Sequence, residues 1–175
     1  MTAPEFSRPV RIDTLGEAQR ALRVEASEEE RVALARRFGL IAIGRLAADL
    51  TLARREDEVT LGGTLTASVT QACIASGEPL EAAVAAAFEI LYRPQLDPNG
   101  HDEEIELSHG ELDIVFYDSG EIDVGEAVAE TLALNLDPWP RAPDAERALK
   151  AAGVKSEEEA GPFGALAALR DKLKK

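Results

Sequence analysis

The chain has 175 residues, 45% of them apolar and 30% charged, and a net charge of −14. That is enough to bury one core, and it excludes a generally basic nucleic-acid binder, because an acidic surface repels a phosphate backbone. No run of about 18 apolar residues could form a spanning helix, and the single cysteine, Cys73, excludes an internal disulfide.

The charge is unevenly spread. Residues 1–60 carry ten arginines and eleven acids, residues 61–140 carry one base and sixteen acids, and residues 141–175 carry eight bases and six acids. The acidic middle block suits a basic protein partner, or simply a solvated surface that keeps the protein soluble. No charged-then-apolar leader is visible, so a soluble cytoplasmic protein is expected.

The start, "PEFSRPVRIDTL", reads as a short strand after a loose end. "SEEERVALARRFGL" is punctuated as a helix: Ser27 and Glu30 have capping-box spacing, and Gly39 can close it in a left-handed conformation. Acids lead and arginines follow, matching the helix dipole. Val32, Leu34 and Ala35 are available to a buried stripe.

In "LIAIGRLAADLTLARR", Leu40, Ala42, Leu46, Ala48, Leu50 and Leu52 recur at period two, opposite Arg45, Asp49 and Thr51, which predicts a strand. "VTLGGTLTASVTQACI" alternates more clearly: Val59, Leu61, Leu65, Ala67 and Val69 face one way, Thr60, Thr64, Thr66, Ser68 and Thr70 the other. The Gly62–Gly63 pair predicts a bulge or sharp coil. "SGEP" is a turn. "LEAAVAAAFEILYR" is ambiguous, since its alanines favour a helix. Leu80, Val84, Phe88, Ile90 and Tyr92 also fit period two, and the strand reading completes a three-strand meander.

Residues 94–110 form a polar acidic loop, and "ELDIVFYDSGEID" resumes a strand. Asp123 caps the helix that follows, with Glu126 at the box position, and that helix runs to Asp137-Pro138. Residues 141–161 are rich in Pro, Ala and charge and read as a partly flexible linker. Residues 162–175 read as a terminal helix, with Pro162 in its first turn and Phe163, Leu166 and Leu169 in its stripe. No repeat at a solenoid period is present.

The residues for chemistry are few. Cys73 shares the parity of Val59 and Val69, so it faces the core, where cysteines are inert small hydrophobes. The only histidines, His101 and His109, lie in the acidic loop, and neighbouring acids would raise a thiol pKa. His101, Asp102, Glu103 and His109 could hold a metal, but a structural zinc site needs about four closely spaced N or S ligands, and an ordinary solvated acidic loop is the favoured reading. There is no phosphate-binding glycine loop and no nucleophile elbow. Arg31, Arg36, Arg37, Arg45, Arg54 and Arg55 fall within residues 31–55 and could form one basic patch for RNA, with Lys172, Lys174 and Lys175 as a second; solvent exposure and pairing with neighbouring acids is the favoured alternative.

The order "TASVTQACIASGEPLEAAV", "FEILYRP", an acidic loop, "SGEIDVGEAVAETLALNLDPWPR" and "PFGALAALRDKLKK" resembles the YceD-like family, the large ribosomal RNA subunit accumulation proteins, in its alphaproteobacterial branch. The likeness covers roughly residues 40–173, and its motif positions here are Gln71, Cys73, Glu78, Pro79, Asp123, Glu126, Pro162 and Phe163. It implies a role in making or stabilising large-subunit (23S) ribosomal RNA, with no enzymatic activity. The family's gene commonly neighbours that of a basic large-subunit ribosomal protein. Many members carry a Cys-x-x-Cys pair and later cysteines, which suggests metal and nucleic-acid binding; here Ser76 stands at the second position and "LDPWPRAPDAERALKAAG" has no cysteine.

The expected fold is α+β. Long antiparallel strands at about 40–54, 58–74, 80–93 and 111–117 form a coiled or barrel-like sheet, with helices at about 27–38, 123–135 and 162–173. Residues 1–140 form the domain core, on which residues 162–175 dock. The expected function is a non-enzymatic factor in large-subunit ribosome biogenesis, without a cofactor or small-molecule substrate, binding precursor rRNA or a basic ribosomal protein. The alternatives are a metal- or carboxylate-dependent enzyme using the loop 94–110, and a plain adaptor domain.

Overall fold

Ser27 does start a helix: its hydroxyl accepts from the Glu30 amide at 3.3 Å, and the Glu30 carboxylate accepts from the Ser27 amide at 2.7 Å. Gly39 ends that helix at φ 66°, a left-handed conformation that costs glycine nothing. The computed structural model describes residues 4–95 and 113–154. In chain order it contains β1 (Pro9–Arg11), a 3-10 turn (Ile12–Thr14), β2 (Arg20–Glu25), α1 (Glu28–Phe38), β3 (Ala42–Arg55), β4 (Glu58–Ala72), β5 (Pro79–Pro94), β6 (Asp113–Tyr117), β7 (Glu121–Asp123), α2 (Val124–Leu134) and α3 (Ala145–Ala151).

The chain divides into two units. The larger spans 1–71 and 81–137, the smaller 72–80 and 138–175. The larger holds an open five-stranded sheet in the order β2-β3-β4-β5-β6 and a two-stranded ribbon of β1 with β7. On the inner face, Leu46, Leu50 and Leu52 of β3 and Val59, Leu61 and Leu65 of β4 are almost wholly buried. Leu34 of α1 and Val124, Val128 and Leu132 of α2 join them. Each such side chain contributes about 1.5–3 kcal/mol of burial. In the smaller unit, Cys73, Ala142 and Ala145 form a separate small cluster with Ala75 and Leu80 packed against it.

The α+β class and the long strands are as expected, and residues 79–94 are a strand despite their alanines. Several expectations need correction. The sheet is mostly antiparallel, but β6 runs parallel to β5, with Ile90 opposite Asp113 and Pro94 opposite Tyr117. Residues 95–112 exceed the dozen or so that a parallel connection needs, so length permitted either direction. A barrel would require β2 and β6 to pair; among the described residues they are the two edges of the sheet.

Towards β3, the Gly62–Gly63 pair is not a bulge. Its residues pair in register with Thr51 and Leu50. Gly63 serves close approach instead: a Cβ there would meet the Asp49 carbonyl oxygen at 2.6 Å and Leu50 Cδ2 at 2.7 Å. The irregularity lies between Ile43 and Arg45, where the register shifts. It reverses parity, so Ile43 is buried while Ala42, expected on the core face, is exposed. Val32, expected in the buried stripe of α1, is 48% exposed. Strand β2 and helix α3 have no counterpart in the sequence expectation, and β7 falls at the end of "ELDIVFYDSGEID". α3 lies inside the stretch read as a linker, while the expected helix at 162–173 lies outside the described residues.

Candidate functional site

The arginines do not converge. Arg45 is exposed on β3, 3.7 Å from the Glu25 carboxylate. Arg54 and Arg55 are nine and ten residues further along the same strand, roughly 30 Å away at about 3.3 Å per residue. Arg54 is turned inward on backbone: it donates to the Glu56 carbonyl at 2.7 Å and the Ile12 carbonyl at 3.4 Å, and reaches Asp57 at 3.4 Å. Arg31 likewise donates to the Ile43 and Ala26 carbonyls.

Arg37 is a structural tie. It donates to Glu5 at 3.0 Å and to both oxygens of Glu126 at 3.0 and 2.6 Å. Those contacts, Glu126 first, hold its guanidinium well above the ordinary arginine pKa. Arg36 and Arg55 remain exposed and have no ion pair among the described residues. Among Arg36, Arg37, Arg45, Arg54 and Arg55, the length of β3 thus separates Arg45 from Arg54 and Arg55, and Arg37, Arg45 and Arg54 each have a carboxylate or carbonyl of the chain beside them.

The acids of the middle block behave differently. Glu81 and Glu89 stand exposed on β5, with Ala83, Ala85 and Ala87 of the same parity between them. The loop carrying His101, Asp102, Glu103 and His109 lies outside the described residues, as do Lys172, Lys174 and Lys175. Among the described residues no group of three or more His, Cys, Asp or Glu could hold a metal.

Cys73 is 2% exposed, as its parity implied, but in the smaller unit's cluster and not in the main core. Its turn is tight: the Cys73 amide donates to the Glu78 carbonyl at 2.8 Å, and the Gly77 amide, at φ 75°, to the Cys73 carbonyl at 2.8 Å. The Ala142 amide donates to Sγ at 3.3 Å. Sequence reasoning expected nearby acids to raise this thiol. Instead donors lower it to about 7, the Ser76 hydroxyl first, then the Ala142 amide, with the Ser76 and Ala75 amides adding to them. Backbone donors are invisible to a count of side-chain charges.

The other motif residues hold the fold. Gln71 is buried and its amide donates to the Asp137 carbonyl at 2.8 Å. Glu78 lies 3.3 Å from the Ser76 hydroxyl, and Pro79 opens β5. Asp123 accepts from the Gly125 amide at 3.0 Å and the Glu126 amide at 3.1 Å, capping α2. It also accepts from the Arg8 amide at 2.7 Å and the Ser7 hydroxyl at 2.5 Å. Glu126 has no capping-box role; its carboxylate is committed to Arg37. Pro162 and Phe163 lie outside the described residues.

Phe6 and Arg8 went unrecognised, because the N-terminal segment read as a loose end. Phe6 is fully buried, Arg8 lies 4.7 Å over its ring, and Arg8 grips Glu30 at 2.7 and 3.0 Å. The signal was faint: one aromatic and one arginine in "PEFSRP".

No helix among the described residues is long and apolar enough to cross a membrane. No curated protein and no solved structure matches the chain. Residues 61–170 match the family described as large ribosomal RNA subunit accumulation protein YceD, a span that takes in the Gln71–Pro79 turn and the Asp123 cap. That match covers well over half of the sequence, and with it the chain belongs to the YceD family, whose description points to accumulation of the large ribosomal RNA.

Proposed function

We propose that this protein is a non-enzymatic, cytoplasmic factor that supports accumulation of large-subunit ribosomal RNA by engaging a basic large-subunit ribosomal protein. The carrying observation is the fate of the arginines. Three of the five candidates are close to acids or carbonyls of the same chain, and the five are spread along a 14-residue strand and a helix. A phosphate backbone needs several accessible cations in a row. The block 61–140, with sixteen acids and one base, instead suits a cationic protein surface. Charge complementarity of that kind speeds encounter and suppresses wrong partners, and it weakens with salt. An acidic partner would keep a basic ribosomal protein from binding RNA indiscriminately.

The test is a low-salt pull-down from lysate, with the bound material divided into RNA and protein. A basic large-subunit protein identified by mass spectrometry, surviving nuclease and lost in a Glu81→Lys/Glu89→Lys variant, supports the reading. Ribosomal RNA retained after protein is stripped, and lost on Arg45→Glu/Arg55→Glu, overturns it in favour of direct RNA contact.

A further inference from the structure

Glu28, Val32 and Arg36 lie four residues apart on one exposed stripe of α1. Of the other charges on α1, Glu30 takes Arg8, Arg31 takes two backbone carbonyls and Arg37 takes Glu5 and Glu126, while Glu29 is exposed with no ion pair among the described residues. Glu28 and Arg36 have no ion pair among the described residues. Between them Val32 is 48% exposed. Across a shallow cavity of about 310 Å³, Ile41 is 53% exposed. An acid, an exposed aliphatic and a base are thus evenly spaced beside an open groove.

We propose that this stripe is the docking surface for a second copy of the chain. The pattern reads as its own complement. In an antiparallel helix pair with its two-fold axis at Val32, Glu28 of each copy falls opposite Arg36 of the other. Four residues correspond to about 6 Å of helix on either side of the axis, so both pairs form together. Val32 of each copy then enters the groove bounded by Ile41 and Val32 of the other. Charge also permits the approach. Each copy carries −14, but residues 1–60, which include this stripe, hold ten arginines against eleven acids, while the acidic block lies later in the chain. A parallel arrangement would set Glu28 on Glu28 and Arg36 on Arg36, so the charges fix the direction. One stripe of an 11-residue helix is a small contact, and the dimer is accordingly weak and reversible.

The test is sedimentation velocity of the full chain over a concentration series. The expected result is a reversible monomer–dimer equilibrium. Glu28→Arg and Arg36→Glu each raise the dissociation constant about tenfold, since two-fold symmetry makes every substitution count twice. The double variant Glu28→Arg/Arg36→Glu restores the wild-type constant, and an equimolar mixture of the two single variants forms a heterodimer. Val32→Asp abolishes association, with circular dichroism confirming that the exposed substitution leaves the fold intact. A chain that stays monomeric at every concentration overturns the proposal, and so does a dimer indifferent to both single charge reversals. Ribosomal-protein capture is read in a separate experiment, so failure of one reading leaves the other standing.

Discussion

Arg37, in the last turn of α1, holds Glu126, in the first turn of α2, with both guanidinium amino groups, at 3.0 and 2.6 Å. The pair is partly screened, with side chains 33% and 21% exposed. Paired, charge-assisted contacts of this kind exceed an ordinary surface ion pair. Arg37→Met is expected to cost about 1–2 kcal/mol in urea unfolding, and a cycle with Glu126→Gln is expected to show coupling of about 1 kcal/mol. Additive single effects would refute the tie.

Asp123 serves four donors from two parts of the chain, two at the start of α2 and two in the N-terminal segment. Asp123→Ala leaves all four without their acceptor and is expected to lower stability by about 2–3 kcal/mol, more than a solvent-exposed N-cap. Asp123→Asn keeps one acceptor oxygen and recovers roughly half of that. Thermal or urea unfolding of the pair of variants distinguishes the cases.

Gly125 admits no side chain, because a Cβ there would collide with the Phe6 carbonyl oxygen and meet the Arg8 amide nitrogen at 3.0 Å. Gly125→Ala is expected to destabilise by about 1–3 kcal/mol, although alanine is the better helix former. Gly120→Ala has open space around it and serves as the control. Equal effects would show that the close approach carries no weight.

Acid is expected to weaken the fold in a defined window. Glu30 lies below its usual pKa of 4.5, chiefly through Arg8, and Asp13 below 3.8, chiefly through Arg11. The unfolded chain therefore takes up protons first as pH falls. Stability is complete at neutral pH and declines as pH drops below about 4.5. Arg8→Leu releases Glu30 towards its ordinary value, so its stability curve is lower at pH 7 and flatter between pH 5 and 3. A parallel offset between the two curves would contradict the assignment.

Cys73 titrates from about 9 in the unfolded chain to about 7 in the fold. A depressed pKa adds stability that is complete above pH 9 and lost as pH falls through 7. Because the chain has a single cysteine, thiolate absorbance at 240 nm between pH 5 and 9 reads it directly. The midpoint is expected near 7, moving up in Ser76→Ala. With 2% exposure, the same thiolate reacts slowly with disulfide reagents, at a rate set by opening of the turn. A midpoint above 8.5 would remove the donor cage.

The long strands were legible because their alternation is strong. Val59 to Val69 and Leu46 to Leu52 fell on the core face, and Ser27, Gly39 and Asp123 acted as the caps they resemble. What escaped was set by partners distant in sequence. Gly44 sits at the β3 bulge, where a Cβ would meet Ser68 Oγ at 2.8 Å, and nothing local to "AIGRL" announces that neighbour. Strand β2 is six residues with charged flanks, and its hydrophobic signal is only Leu22 and Val24. The direction of β6 depends on where residues 95–112 lead, which periodicity does not encode. The spread of the arginines has a related reason. Closeness in sequence along a strand means distance in space, and sequence cannot show which arginines are already bound to carbonyls.

The pairing of β1 with β7 sets Pro9 opposite Asp123. During synthesis the first strand therefore has no partner until residue 123 has left the exit tunnel. Chains still being translated must carry an unpaired β1 for most of their elongation, and this larger unit completes itself only after β7 has emerged.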